Sequence, residues 1–203
     1  MNAKKRTIVI SDPAGYLKKT RPGHGIKKTR SVCINEALVP SYIIEERNSC
    51  TVNAAACLLV FASGKRHSFA RSLELCRNIA LRGFSRIRNG AMDYYTRIGR
   101  EAPYIRKCLK SASAGYSANS SLFVKRLAIK EILSGRPVLL NIAFSGQYRD
   151  HTVTAYGFEE YAVGPRGRKV MFFKVRDGYS KEPRYLEYKG IFGISVTYLK
   201  ERA

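Results

Sequence analysis

The sequence has few acidic residues, no long apolar segment and no closely spaced cysteine pair. Asp and Glu account for 15 of its 203 residues, against 37 Lys and Arg, and the formal net charge is +22. This balance excludes an acidic protein and predicts a non-specific anionic partner, such as nucleic acid or an anionic surface. The same charge would also serve solubility alone. The hydrophobic content of 45% is that of an ordinary globular chain, which excludes wholesale disorder.

No segment is apolar enough to be a membrane span or a secretory signal. The longest apolar stretch, Ala54–Ala62, is about half of the ~20 residues that a spanning helix needs. At the basic N-terminus the apolar run is only Thr7–Ser11, shorter than the ~7–15 residues of a signal-peptide core. We therefore expect no membrane span. The compartment is unknown, with the cytoplasm favoured and secretion, after removal of a signal, left open.

The cysteine and histidine pattern argues against a metal site. The number of cysteines is odd, so at least one thiol is free or paired between chains. Because no two cysteines have C-x-x-C spacing and the three histidines are scattered, we predict no metal and no cofactor. Three of the cysteines lie among apolar residues in helical stretches and are expected to be small core residues: Cys57, Cys76 and Cys108.

The first 30 residues differ in composition from the rest of the chain. They contain nine Lys or Arg and one acid, 9 − 1 = +8, together with Pro13, Pro22 and three glycines. This pattern predicts an extended or mobile arm rather than a packed element. We divide the chain into a basic N-terminal arm, residues 1–40, and a folded domain, residues 41–203.

The remaining sequence changes from helical to strand periodicity at Pro137. Apolar spacing and capping residues predict helices at Thr51–Phe61, Ser68–Arg82, Asn89–Arg100 and Ser121–Leu133, with the third stopped by Pro103. Alternating or continuous apolar runs predict strands at Val138–Phe144, His151–Phe158, Lys169–Val175, Arg184–Tyr188 and Gly193–Tyr198. Helices followed by an antiparallel sheet make the predicted fold class α+β.

Three short motifs place reactive residue types at the ends of these elements. Cys50 opens the first, Ala-rich helix, whose N-terminus lowers the pKa of a thiol. His151 opens one strand and Asp177 stands at the end of the next, so an antiparallel pairing would bring them together. A thiol nucleophile, an imidazole base and an oxygen that orients the imidazole form a catalytic set for acyl transfer.

The three motifs together resemble the papain-like cysteine peptidases. They read Asn-x-Cys-x-x-Asn-Ala-Ala-x-x-Leu-Leu from Asn48, His-x-Val-x-x-Tyr-Gly-Phe from His151 and Val-x-Asp-Gly-Tyr from Val175. The closest resemblance is to the bacterial branch that includes the double-glycine leader peptidases of bacteriocin exporters. It covers Ile43 to Tyr198 and keeps the family's order of Cys, His and Asp. It implies a papain-like fold in which a buried central helix begins at the nucleophile and an antiparallel sheet follows.

The resemblance assigns roles to four residues. Cys50 would be the nucleophile, His151 the general base and then acid, and Asp177 the orienting group. Family members place a Gln several residues before the cysteine to help form the oxyanion hole, but this chain has Ile44 there. We therefore assign the side-chain donor to Asn48, with the Cys50 N–H as the second donor. Asn48 as a helix cap or turn residue remains the alternative.

Two classes of function follow from these observations. The first is a cysteine peptidase that cleaves peptide bonds through a thioester intermediate and takes a peptide or protein substrate. The second is a peptidase-like scaffold with weak or no activity that binds nucleic acid or another polyanion. Within the first class, proteolysis, deamidation and transglutamination use the same triad. The N-terminal arm is hypothesised to mask the cleft as a propeptide. Substrate specificity and oligomeric state are not readable.

Overall fold

The structure is a computed structural model that describes residues 9–46, 48–83, 86–88, 91–93, 100–122, 124–143, 148, 150–188 and 195–202. Its helices are α1 (Pro13–Thr20), α2 (Cys50–Ala62), α3 (Phe69–Leu81), α4 (Glu101–Ser111) and α5 (Val124–Leu133), with a 3₁₀ turn at Glu36–Leu38. Its strands are β1 (Val9–Ile10), β2 (Ile26–Cys33), β3 (Arg86–Arg88), β4 (Ala91–Asp93), β5 (Tyr116–Ser121), β6 (Val138–Ala143), β7 (Asp150–Val163), β8 (Arg168–Arg176), β9 (Arg184–Glu187) and β10 (Ser195–Glu201).

Most of the strands form one antiparallel sheet. Its order is β1-β9-β8-β7-β6-β10-β5. Strand β7 is long enough for β6 to pair with its first half and β2 with its second half, on the same side. On its other side β7 pairs with β8. The predicted α+β class is therefore correct, although β2 and β5 enter the sheet from regions where no strand was predicted.

The central helix α2 is buried nearly all round. Eleven of its 13 residues are buried, because its sequence is almost entirely Ala, Leu, Val and Cys. It packs against α3, α4 and the sheet in a cluster that includes Leu58, Leu59, Tyr104 and Leu139. The predicted core cysteines Cys57, Cys76 and Cys108 are buried.

The prediction of a helix at Asn89–Arg100 is wrong where the structure describes it. Residues 91–93 form strand β4, which pairs with β3, and residues 89–90 and 94–99 lie outside the described residues. The helix begins instead at Glu101, so that Pro103 stands in its first turn. Proline is tolerated there because its missing N–H would have no partner within the helix.

The predicted helix Ser121–Leu133 begins too early. Ser121 ends β5, and the helix α5 starts at Val124. The sequence Tyr116–Ser121 is polar and has no strand periodicity, but six consecutive residues pair with β10. Tertiary pairing thus overrides weak local preference at this edge of the sheet.

The N-terminal segment is packed, contrary to the extended arm that its composition predicts. Strand β2 pairs with β7 from Ile26↔Val163 to Cys33↔Gly157, and β1 pairs with β9. Leu17 of α1 is fully buried against side chains of β7 and β8. A run of exposed Lys and Arg along β2 conceals its strand character, because few side chains of this strand are covered. The separate role of residues 1–40 as a propeptide stays a prediction.

Among the described residues no helix has the length and apolar character needed to cross a membrane.

Candidate active site

The site lies where the N-terminus of α2 meets the ends of β7 and β8. Cys50 is the first residue of α2, His151 is the second residue of β7 and Asp177 directly follows β8. Strands β7 and β8 are antiparallel neighbours with Thr154 opposite Arg176, as predicted. The structure therefore brings together three of the four residues that the sequence selected.

Cys50 and His151 lie close enough for each to shift the pKa of the other. Burial raises the pKa of the Cys50 thiol, but hydrogen bonding by the His151 ring and the Thr152 backbone N–H, together with the charge of His151, outweighs burial and lowers the pKa below its ordinary value. Burial lowers the pKa of His151, but its hydrogen bond to Cys50 and the thiolate charge outweigh this and raise it. The two directions agree and favour a thiolate–imidazolium pair.

The two residues of the pair differ in their exposure to solvent. Cys50 is partly exposed, whereas His151 is 5% exposed. The Tyr179 ring stacks on the imidazole at a centroid distance of 4.7 Å and an interplanar angle of 15°, and is itself 61% exposed. Tyr179 therefore covers the imidazole, whereas Cys50 as a residue keeps partial exposure.

The oxygen that contacts the imidazole is a backbone oxygen. His151 Nε2 lies 2.7 Å from the carbonyl oxygen of Asp177. The buried Asp177 carboxylate accepts hydrogen bonds from the Tyr148 hydroxyl and, at 2.9 Å, from the Tyr179 N–H. Asp177 is thus at the predicted position, and the group that meets the ring is its peptide carbonyl instead of its carboxylate.

The conformation of the loop at Asp177 requires a glycine at position 178. Gly178 has φ +78°, and a Cβ on it would lie 2.5 Å from the side chain of Ile44 and 2.8 Å from the ring of Tyr42. The backbone N–H of Ile44 donates to the Gly178 carbonyl at 2.8 Å. Ile44 therefore supports the Asp177 loop by packing and by this backbone hydrogen bond.

The helix mouth is fixed by Asn53. Its Nδ2 donates to the carbonyl oxygen of Ser49 at 3.0 Å and to Ser49 Oγ at 2.9 Å, and Ser49 Oγ donates to the Glu46 carbonyl at 2.8 Å. Ser49, not Asn48, is the residue that caps α2. Asn48 is exposed in the preceding turn with φ +58°, a conformation that Asn tolerates. Its role as an oxyanion donor stays a prediction.

Next to the Cys–His pair begins a buried chain of polar side chains that the sequence did not indicate. Thr51 and Thr152, neighbours of Cys50 and His151, have hydroxyls 3.0 Å apart, and Thr152 donates to Asn141 Oδ1 at 3.2 Å. Asn141 Nδ2 donates in turn to the hydroxyls of two residues of β10, Ser195 and Thr197. This polar chain ties helix α2 to three strands of the sheet, β7, β6 and β10. It could be recognised only once their register was known.

Tyr148 was also missed. It is buried, its ring lies 4.7 Å from the His151 ring, and its hydroxyl reaches Asp177. A lone tyrosine outside any motif gave no sequence signal. Within the described residues, no group of three or more His, Cys, Asp or Glu side chains is arranged to hold a metal ion.

Comparison with solved structures identifies a similar fold. A crystal structure of a candidate C39-like peptidase from Bacillus anthracis superposes with a TM-score of 0.55 over 86% of this chain and 100% of that chain, at 13% sequence identity. The chain thus shares a papain-like fold. No family model matches the sequence. A search of curated proteins likewise finds no match.

Proposed function

We propose that the protein is a cysteine peptidase that cleaves peptide bonds through Cys50, His151 and Asp177. The observation that carries the proposal is the placement of Cys50 at the N-terminus of the central helix beside His151, so that each shifts the pKa of the other in the direction of a thiolate–imidazolium pair. The fold shared with a candidate C39-like peptidase supports it. The closer assignment to the bacterial leader-peptidase branch rests on the three sequence motifs alone.

The reaction begins with attack of the Cys50 thiolate on the carbonyl carbon of the scissile amide, which gives a tetrahedral intermediate. Its oxyanion is stabilised by the Cys50 N–H at the helix mouth and by the Asn48 side chain. The His151 imidazolium protonates the leaving nitrogen as the C–N bond breaks, and a thioester remains on Cys50. Neutral His151 then removes a proton from water, whose oxygen displaces the thiolate and releases the acid.

The first test is selective labelling of the nucleophile. Cys50 is expected to react with iodoacetamide or an epoxysuccinyl inhibitor faster than the other four thiols, as measured by peptide mapping and mass spectrometry. Cys33 is the internal control, because this residue is exposed to the reagent but has, among the described residues, no histidine partner that lowers the pKa of its thiol. Partial burial of the sulfur instead raises that pKa. Equal labelling of Cys50 and Cys33 would contradict the proposal.

The second test identifies the reaction. Incubation with a library of fluorogenic and unlabelled peptides is expected to give new termini, and Cys50→Ala is expected to abolish them. Release of ammonia from an intact peptide would instead indicate deamidation, and amine incorporation would indicate transglutamination. Either of these products, without new termini, would overturn the assignment of peptide cleavage while retaining Cys50 as the nucleophile.

A further inference from the structure

A concave basic surface lies at the end of the sheet away from the Cys–His pair. It has a volume of about 370 Å³ and is formed by the end of α1 and the turn between β7 and β8; its lining residues are Arg21, His24, Val163, Gly164, Pro165, Arg166 and Arg168. We name these residues the basic pocket. They contribute three guanidinium groups, one imidazole and no acid.

The two segments that form the basic pocket are fixed to each other. The Gly164 N–H donates to the Gly25 carbonyl at 2.8 Å, and the His24 ring lies 3.5 Å from the position that a Cβ on Gly164 would take. Gly164 has φ +73°, and the Gly167 N–H closes the turn onto the Gly164 carbonyl at 3.0 Å. The guanidinium groups of Arg166 and Arg168 are therefore carried on a defined turn.

The cations of the basic pocket are largely uncompensated. Arg21 Nη2 is 3.9 Å from Glu187, a distant contact, and Arg21 Nη1 is buried with no hydrogen-bond partner within the part of the chain that the structure describes. Across those same residues, neither Arg166 nor Arg168 forms an ion pair with an acid. A buried guanidinium nitrogen without an acceptor favours an anionic ligand, since the planar fork of Arg matches phosphate oxygens.

The surroundings of the pocket favour a ligand that carries several phosphates. Exposed Lys18, Lys19 and Lys27 lie on the two elements that flank it, and the chain as a whole has a charge of +22. An apolar anchor of the kind used at a lipid surface is missing from the described residues of this face. The exposed large hydrophobic side chains lie elsewhere in the sequence, at Ile43, Leu81, Leu122, Leu133 and Tyr179.

We propose that the basic pocket binds the phosphate backbone of nucleic acid, at a site separate from the Cys–His pair. Arg166 and Arg168 contact phosphates from the turn, Arg21 contacts one from the residue that follows α1, and the flanking lysines extend the contact along the strand. The binding is not sequence-specific, because the residues named offer charge and no base-reading element. It requires neither Cys50 nor peptidase activity.

The test compares two pairs of charge-removing substitutions by fluorescence anisotropy with a labelled 20-base-pair DNA duplex. Arg166→Gln with Arg168→Gln is expected to weaken binding about tenfold near 0.1 M salt and to reduce the slope of log K against log salt by about 1.8, the value for two lost phosphate contacts. The matched control, Arg71→Gln with Arg82→Gln, removes the same charge from exposed positions at the two ends of α3 and is expected to change affinity less than twofold.

Three outcomes would overturn the proposal. One is an equal loss of affinity in both pairs, which would indicate a diffuse effect of net charge. Another is an absence of DNA binding by the unmodified protein even at low salt. The third is displacement of DNA by poly-glutamate or inorganic phosphate at the same charge concentration that unlabelled DNA requires, which would indicate a site for anions in general. Circular dichroism establishes that both variant proteins are folded.

Discussion

His151 Nε2 lies 2.7 Å from the backbone oxygen of Asp177, while the carboxylate of that residue meets Tyr148 and the Tyr179 N–H. The imidazole is thus oriented by a peptide group, which no side-chain substitution at position 177 removes. The carboxylate acts one step further away, by holding the loop that presents this carbonyl.

This arrangement predicts that Asp177→Asn is tolerated better than in a triad with a direct carboxylate contact. The amide oxygen of the substituted side chain can still accept from the Tyr179 N–H, so the loop and its carbonyl stay in place. We expect kcat to fall less than about 100-fold, whereas loss of a carboxylate that binds the imidazole directly costs about 10⁴-fold. His151→Ala, measured with the same peptide, is expected to remove activity. A 10⁴-fold loss in Asp177→Asn would show that the carboxylate reaches the ring during catalysis.

The pKa directions of the pair predict a bell-shaped pH dependence of peptide cleavage, which needs thiolate and imidazolium together, and alkylation of Cys50 that persists to lower pH than that of an ordinary thiol. The thiolate is present above its lowered pKa and is lost as pH falls through it. The imidazolium is present below its raised pKa and is lost as pH rises through it. The rate constants for alkylation of Cys50 and Cys33 by iodoacetamide are measured with mass spectrometry at a series of pH values. As the pH is lowered, Cys50 is expected to keep reacting at a pH where Cys33 no longer reacts. In His151→Ala the rise in the alkylation rate of Cys50 should move to higher pH. Burial then raises the pKa of the thiol without the opposing charge of the imidazolium. A rise at an unchanged pH would contradict the pairing.

Gly178 is expected to be intolerant of any side chain. Gly178→Ala introduces both a left-handed non-glycine residue and a collision with Ile44 and Tyr42, so we expect a loss of more than about 2 kcal/mol in the free energy of unfolding and a loss of activity. Gly167→Ala is the matched control, since Gly167 has φ +58° but open space around its missing Cβ. It should cost about 1–2 kcal/mol, from the left-handed backbone alone. Equal costs in urea unfolding would show that the contact with Ile44 is unimportant.

The polar chain behind the pair predicts coupling between Thr51 and Thr152. Replacing either by Val leaves the other hydroxyl buried without this partner, and Thr152→Val also removes the donor to Asn141. Each single variant is expected to lose about 1–3 kcal/mol of stability, and the double variant less than the sum. Strict additivity in denaturant titrations would indicate that the two hydroxyls do not stabilise each other.

The sequence located the ends of the elements that carry Cys50, His151 and Asp177 but misplaced several of the elements around them. Cys50 and the two strand ends could be located because a helix that is apolar nearly all round and apolar strands stand out from the polar segments that flank them. The oxygen that contacts His151 could not be predicted from the sequence, because every residue carries a backbone carbonyl and no residue type identifies the one that makes the contact. Strand β5 and helix α4 were misplaced because a polar edge strand and a first-turn proline give local signals opposite to their final environments.

The N-terminal segment shows the same limit in another way. Its nine cations indicated an exposed arm, and most of those that the structure describes are indeed exposed, but the backbone that carries them belongs to the main sheet. Net charge describes the surface of a segment and does not determine whether its peptide groups are paired.

Strand β7 bears His151 near one end and Val163, in the wall of the basic pocket, at the other. Twelve residues of extended chain separate them, about 40 Å. A molecule engaged at both places at once must therefore be long, such as a polypeptide tethered to a bound strand of nucleic acid. For protein engineering, residues at the His151 end of β7 can be substituted while the basic pocket at the Val163 end is left unchanged as a reference, and the reverse.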